Sequence, residues 1–220
     1  QYFHTNLAIR CIKEYCEQKN PDLNFELSEF TINQTIDTIF SEIMKQTFDV
    51  IGFSCYIFNT EMIMKLASAV KILKPNCRIV LGGPEASYRS KEILEKYPYI
   101  DYIIRGEGEL SSLALFSSLQ RDFKEYSLHE VPSLSFRNDS SITETPVAPQ
   151  LNNSACPYHY SEQEIESLRH KIIYFESSRG CPYGCSYCLS SIDRKLRIYN
   201  LDDVLSQVRL FLKCNVKQVK

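Results

Sequence analysis

The chain has 220 residues, 44% hydrophobic and 24% charged, with a formal net charge of −2. That is the composition of a globular protein of one or two domains. No basic field invites nucleic acid or an acidic membrane, no apolar run approaches the roughly 18 residues of a membrane-spanning helix, and no charged-then-apolar leader opens the chain. Neither nucleic acid nor membrane is expected as a partner.

The chain opens at Gln1 and stops at Lys220, inside a segment patterned by Val216 and Val219. The expectation is a fragment of a longer protein. Nine cysteines, an odd number with no secretion signal, predict reduced thiols and a cytoplasmic location. Cys11, Cys16, Cys55, Cys77 and Cys214 lie in apolar-patterned segments and read as small buried hydrophobes. Cys156 falls in a linker and is assigned no role.

In chain order, residues 6–18 carry a helical stripe (Leu7, Ala8, Cys11, Ile12, Tyr15), with Thr5 or Asn6 available to cap it. Leu23, Phe25 and Leu27 alternate, which predicts a strand over 23–32. Residues 34–47 repeat at helical spacing. Val50 to Ser54 form a short apolar run of the kind a fully buried parallel strand shows. A helix over 60–74 ends at Pro75-Asn76, and a strand over 77–81 ends at Gly82-Gly83-Pro84. A short helix is expected near 90–97, a strand at 101–105, then Gly106-Glu107-Gly108-Glu109 and a helix at 110–120. Strands alternating with helices predict an α/β domain with a parallel, helix-covered sheet. Such sheets bind ligands beyond the carboxyl ends of their strands.

Residues 131–146 read as a hairpin turning at Asn138-Asp139-Ser140. A linker with Pro146, Pro149, Pro157 and the pair Asn152-Asn153 follows. A second α/β unit then starts with a strand at 171–176, a long loop over 177–200, a helix at 202–213 and the beginning of a strand at 216–220. The expected division is a first domain at 1–145, a linker at 146–170 and a second, incomplete domain at 171–220.

The long loop reads Ser177-Ser178-Arg179-Gly180-Cys181-Pro182-Tyr183-Gly184-Cys185-Ser186-Tyr187-Cys188, a C-x3-C-x2-C spacing. Three thiolates this close converge only if the loop wraps a common centre. Gly180 and Gly184 permit the backbone angles that wrapping needs. Cysteine sets at short spacing hold iron–sulfur clusters. Zinc prefers four ligands in closed sites, and no second cysteine pair lies nearby. Zinc and three unrelated core cysteines are the competing readings.

This motif, placed directly after a strand with an aromatic just before its last Cys, resembles the signature of the radical S-adenosylmethionine (SAM) superfamily. The resemblance implies a four-iron–four-sulfur cluster on Cys181, Cys185 and Cys188. Its open iron would chelate SAM, and Tyr187 would lie against the adenine. One electron, from a donor such as flavodoxin or ferredoxin, would cleave SAM to methionine and a 5′-deoxyadenosyl radical. The family fold is a full or partial β/α barrel whose first strand precedes the cluster loop.

The upstream order of elements resembles the Rossmann-like, flavodoxin-like cobalamin-binding domain fused before such barrels. Gly52-Phe53-Ser54-Cys55-Tyr56, Leu81-Gly82-Gly83-Pro84 and Arg105-Gly106-Glu107-Gly108-Glu109 carry the likeness. It implies that Ser54, Gly82 and Gly83 line the cobalamin. Each also has a plainer reading: a strand end, a tight turn, and a helix start that favours acidic side chains. Domains that supply a lower cobalt ligand use D-x-H-x-x-G. Here His4 is present without the Asp and Gly, so His4 stands as a candidate contact beside a loop or helix-cap role. Tyr2 to Glu14 and Tyr174 to Gly180 resemble a clostridial-type subgroup of these fusions and carry no signal for a substrate. The implied activity is radical methylation of an unactivated carbon. Cyclase chemistry of the magnesium-protoporphyrin monomethyl ester type and a non-catalytic cobalamin-binding module are the alternatives.

Overall fold

The computed structural model describes residues 3–120, 127–139, 141–151 and 154–220. Its contacts divide the chain into two compact units, one of residues 15–150 and one of residues 1–14 with 151–220. This differs from an expected first domain of 1–145. The first fourteen residues pack with the C-terminal segment, because Phe3 and His4 ladder in parallel with Lys171 and Ile172. Among the described residues no helix is long and apolar enough to cross a membrane.

In chain order the elements are β1 (Phe3–His4), α1 (Leu7–Lys19), α2 (Ile36–Met44), β2 (Val50–Ser54), α3 (Thr60–Leu73), β3 (Arg78–Gly82), α4 (Pro84–Tyr88), α5 (Ser90–Lys96), β4 (Tyr102–Ile104) and α6 (Glu109–Gln120). There follow β5 (Leu134–Asn138), β6 (Ser141–Glu144), α7 (Glu162–Ser167), β7 (Lys171–Ile172), β8 (Ser178–Arg179), β9 (Arg197–Ile198) and α8 (Leu201–Lys213).

The larger unit is built on a five-stranded sheet in the order β2-β3-β4-β5-β6. β2, β3 and β4 are parallel, and the hairpin β5–β6 extends them antiparallel. Alternation along the strands feeds two cores. Ile79, Leu81 and Ile103 point into one with Ile63, Leu66 and Val70 of α3. Val80, Tyr102 and Ile104 point into the other with Leu115 of α6. Burial on both faces is why β3 and β4 read as unbroken apolar runs.

Residues 23–32 do not form the expected strand. Leu23 is buried, Phe25 sits edge-on to Phe116 at 5.4 Å, and the Phe25 amide donates to Glu17 Oε1 at 3.0 Å. Side-chain anchoring holds this stretch, and among the described residues no strand pairs with it. Pro84 occupies the first turn of α4, which follows Gly83 directly. The hairpin turn retains Asp139 at φ +49°, while Ser140 lies outside the described residues.

Arg137 of β5 fastens the hairpin to α5. Its guanidinium donates to the carbonyls of Ile100 (2.6 Å), Leu94 (2.7 Å) and Tyr97 (2.8 Å). These include carbonyls left open at the end of α5. Arg137→Met keeps the stem and orphans three acceptors, so it should cost about 2–3 kcal/mol, read as a lowered urea midpoint.

In the smaller unit, residues 171–175 run between two neighbours. Thr5 and Tyr174 bond on one side. On the other, Ile173 N reaches Gln218 O at 3.2 Å and Phe175 N reaches Lys220 O at 3.0 Å. The expected strand at 171–176 is thus a real extended segment, though its regular ladder is short. The linker expected over 146–170 contains α7, capped by Ser161, whose Oγ accepts from Glu164 N at 3.2 Å. Asn152-Asn153 lie outside the described residues. Tyr160, Ile165, Leu168, Ile173 and Phe211 form this unit's core.

Candidate functional site

The carboxyl ends of β2, β3 and β4 lie side by side. Ser54 is the register partner of Gly82, and Cys55 N donates to Gly82 O at 2.7 Å. The loop after β2 is locked by Asn59, whose Nδ2 donates to Ser54 O at 3.0 Å and whose Oδ1 accepts from Tyr56 N at 2.7 Å. Tyr56 and Phe58 stack in this loop at 5.3 Å, and Ile57 and Phe58 are exposed. Cys55 is buried, and burial pushes its thiol up, so it is an inert packing group.

The two glycines after β3 differ in kind. A Cβ at Gly82 would have no atom beyond its chain neighbours within 4 Å. Gly83 has φ +95°, and a Cβ there would come within 2.6 Å of the Cys55 carbonyl oxygen. Gly83 serves the close approach of two backbones, while Gly82 presents a bare surface at the strand end. Ser87, unmarked by any sequence motif, ties the neighbouring turns: its Oγ donates to Gly83 O at 2.8 Å and accepts from Gly106 N at 3.1 Å.

His4 belongs to the other unit. Its Nδ1 is 2.9 Å from the Tyr174 hydroxyl, and the rings tilt against each other at 5.7 Å. The expected cap of α1 is Asn6, whose Oδ1 accepts from Ile9 N at 3.4 Å. The structure therefore groups Ser54, Gly82 and Gly83 at one sheet edge and leaves His4 in the unit that carries the cysteine loop.

That loop is pinched at its base by the two-stranded ribbon β8–β9, with Arg179 opposite Arg197. Gly180 has φ +91°, and a side chain there would run into the Lys195 carbonyl. Cys181 N donates to Asp193 O at 2.8 Å, and Asp193 pairs with Arg197 at 2.6 Å. Cys188 N donates to Cys185 O at 3.2 Å, a tight turn between the last two cysteines. Cys181 is half-buried and Cys185 and Cys188 are exposed. Tyr187 is 91% exposed. Among the described residues the donor set gathered within 4.8 Å is not this one. A single tetrahedral zinc would draw thiolates to about 3.8 Å of one another.

A sequence profile of the family described as "B12 binding domain" matches residues 1–116. The cobalamin-dependent radical SAM methyltransferase TokK of Streptomyces tokunonensis is 34% identical over 149 residues, 64% of this chain and 22% of that protein. The anaerobic magnesium-protoporphyrin IX monomethyl ester cyclase of Synechocystis sp. is 30% identical over 145 residues, 63% of this chain and 28% of that protein. The chain thus spans less than a third of either relative. In fold it is similar to the cobalamin-dependent SAM radical enzyme OxsB with aqua-cobalamin and SAM bound, at a TM-score of 0.77 and 22% identity over 98% of this chain and 31% of that one. The profile match takes in more than half of the 220 residues, including the strand ends at Ser54 and Gly82: the chain belongs to the B12-binding domain family.

Proposed function

We propose that the carboxyl edge of β2–β4 seats cobalamin, that the loop over 180–197 holds a four-iron–four-sulfur cluster which binds SAM, and that the parent protein methylates an unactivated carbon by radical chemistry. One observation carries the reading. A glycine with an open face, paired to Ser54 in a B12-binding domain, precedes a C-x3-C-x2-C loop in the same chain. The residues fit both groups. Gly82 leaves a bare strand end against which a large planar ligand can lie, and Ser54 beside it offers a hydroxyl. The all-thiol donor set of the loop, half-buried at Cys181 and exposed at Cys185 and Cys188, suits iron–sulfur ligation.

When bound, the cobalt would carry the methyl group and the cluster would deliver the electron that cleaves SAM. The chain's own residues supply position. Asp193 and Arg197 brace the loop base, Gly180 admits the reversal into Cys181, and Tyr187 presents an open aromatic face that suits adenine. Cyclase chemistry is the second reading, favoured by the 30% identity to the Synechocystis cyclase.

Two measurements on the full-length protein test the proposal. Anaerobic reconstitution with iron and sulfide should give a brown protein that, once reduced, converts SAM to methionine and 5′-deoxyadenosine. Hydroxocobalamin should bind stoichiometrically. Absence of iron uptake overturns the cluster. Cluster formation without cobalamin binding overturns the methylation reading.

A further inference from the structure

Three metal-ligand side chains meet where the segment 154–160 crosses the first turn of α8, and neither the sheet edge nor the cysteine loop uses them. The Sγ of Cys156, a ring nitrogen of His159 and a carboxylate oxygen of Asp203 all lie within 4.8 Å of one another. Asp203 stands in the middle. Its Oδ1 is 2.6 Å from His159 Nε2, and its Oδ2 accepts the Cys156 backbone amide at 2.7 Å. This order does not suit thiol catalysis, which needs the imidazole between thiol and carboxylate.

The surroundings hold the cluster in place. Asn200 caps α8 by accepting the amides of Asp202 (2.9 Å) and Asp203 (3.2 Å), which fixes the turn that bears the carboxylate. The crossing segment is tied to the same helix at both ends. Asn200 N donates to Ser154 O at 2.6 Å, and Tyr160 N donates to Gln207 Oε1 at 2.8 Å. Cys156 is only 4% exposed, whereas the His159 side chain is 39% exposed. One side of the cluster is closed by protein and the other faces water.

We propose that Cys156, His159 and Asp203 form a zinc site that clamps the 154–160 segment onto the start of α8. Sulfur, imidazole nitrogen and carboxylate oxygen are the donors zinc takes. Tetrahedral zinc ligands stand about 3.3–3.8 Å apart, within reach of the present spacing by side-chain rotation. The ion replaces the Cys156 thiol proton, which leaves to solvent, and takes the His159 Nε2 lone pair, the neutral imidazole keeping its one proton on Nδ1. The bond from the Cys156 amide to Oδ2 stays and orients the carboxylate from the outer shell. The open side next to His159 takes a water as fourth ligand.

The test uses the full-length protein with Cys181, Cys185 and Cys188 all changed to Ala, so that the loop cannot compete for metal. Cobalt(II) should then bind once per chain, with intense tetrahedral d–d bands and a thiolate-to-cobalt band, and zinc should displace it. His159→Ala, at an exposed position, should leave the metal-free melting temperature unchanged and weaken cobalt binding about 100-fold or more. Absence of the thiolate band in the triple variant overturns the site, as does a band that survives both His159→Ala and Cys156→Ser. A fall in the metal-free melting temperature of Cys156→Ser would reflect its buried position, and the His159→Ala result then decides alone.

Discussion

Cys185→Ala in the full-length protein, reconstituted anaerobically, should lose most of its iron and all measurable reductive cleavage of SAM. The expected drop in bound iron is about tenfold or more, because an iron cube held by three thiolates on one short loop has no spare protein ligand to recruit. Cys185 is exposed, so its truncation removes little packing and the loss would not reflect unfolding. The matching control is Cys214→Ala. Cys214 packs against the core of Tyr160, Ile165 and Phe211, outside the loop, and its removal should leave iron content at the parent level. Iron analysis and visible absorption read both variants. A Cys185→Ala protein that retained a full cluster would mean that the motif is not the ligand set.

The contrast between those two cysteines was open to the sequence, since ligand spacing is a local property. Cys181, Cys185 and Cys188 sit within one loop, so their spacing is visible without knowledge of any long-range contact. The parallel core of the larger unit was legible for a related reason. Leu81 and Val80 face opposite cores, so no polar residue interrupts the run. What failed to show depends on who the neighbours are. Leu23, Phe25 and Leu27 alternate as a strand would, yet periodicity says nothing about whether a second strand lies alongside, and among the described residues none pairs with them. The short helix Glu162–Ser167 was hidden by the prolines before it, although Ser161 and Glu164 spell out the sequence signature of a helix start. Asp203 meets Cys156 and His159 from across 44 residues and more, a convergence no spacing rule could reveal. The division of labour between Gly82 and Gly83 was equally out of reach, because identical residues differ only in what faces them.

That division yields the second large effect. Gly82→Leu should fold with a melting temperature within a few degrees of the parent and lose hydroxocobalamin binding by about 100-fold or more. A Cβ at Gly82 has no protein atom beyond its chain neighbours within 4 Å, and the substitution leaves the backbone bond from Cys55 N to Gly82 O in place. The added bulk instead fills the space beyond the strand ends, where sheets of this kind place their ligands. Gly83→Ala, a far smaller change one residue on, should do the reverse to stability. The backbone at φ +95° and ψ 169° is a region essentially reserved for glycine and penalises any Cβ by about 1–3 kcal/mol, and the collision with the Cys55 carbonyl adds to that. The loop after β2 must then shift, and Asn59, which anchors both Ser54 O and Tyr56 N, shifts with it. Thermal melts and hydroxocobalamin titration of the two variants separate a surface that seats a ligand from a turn that holds the surface in place. Parent-like cobalamin binding by Gly82→Leu would move the cofactor away from this edge, whatever the outcome at Gly83.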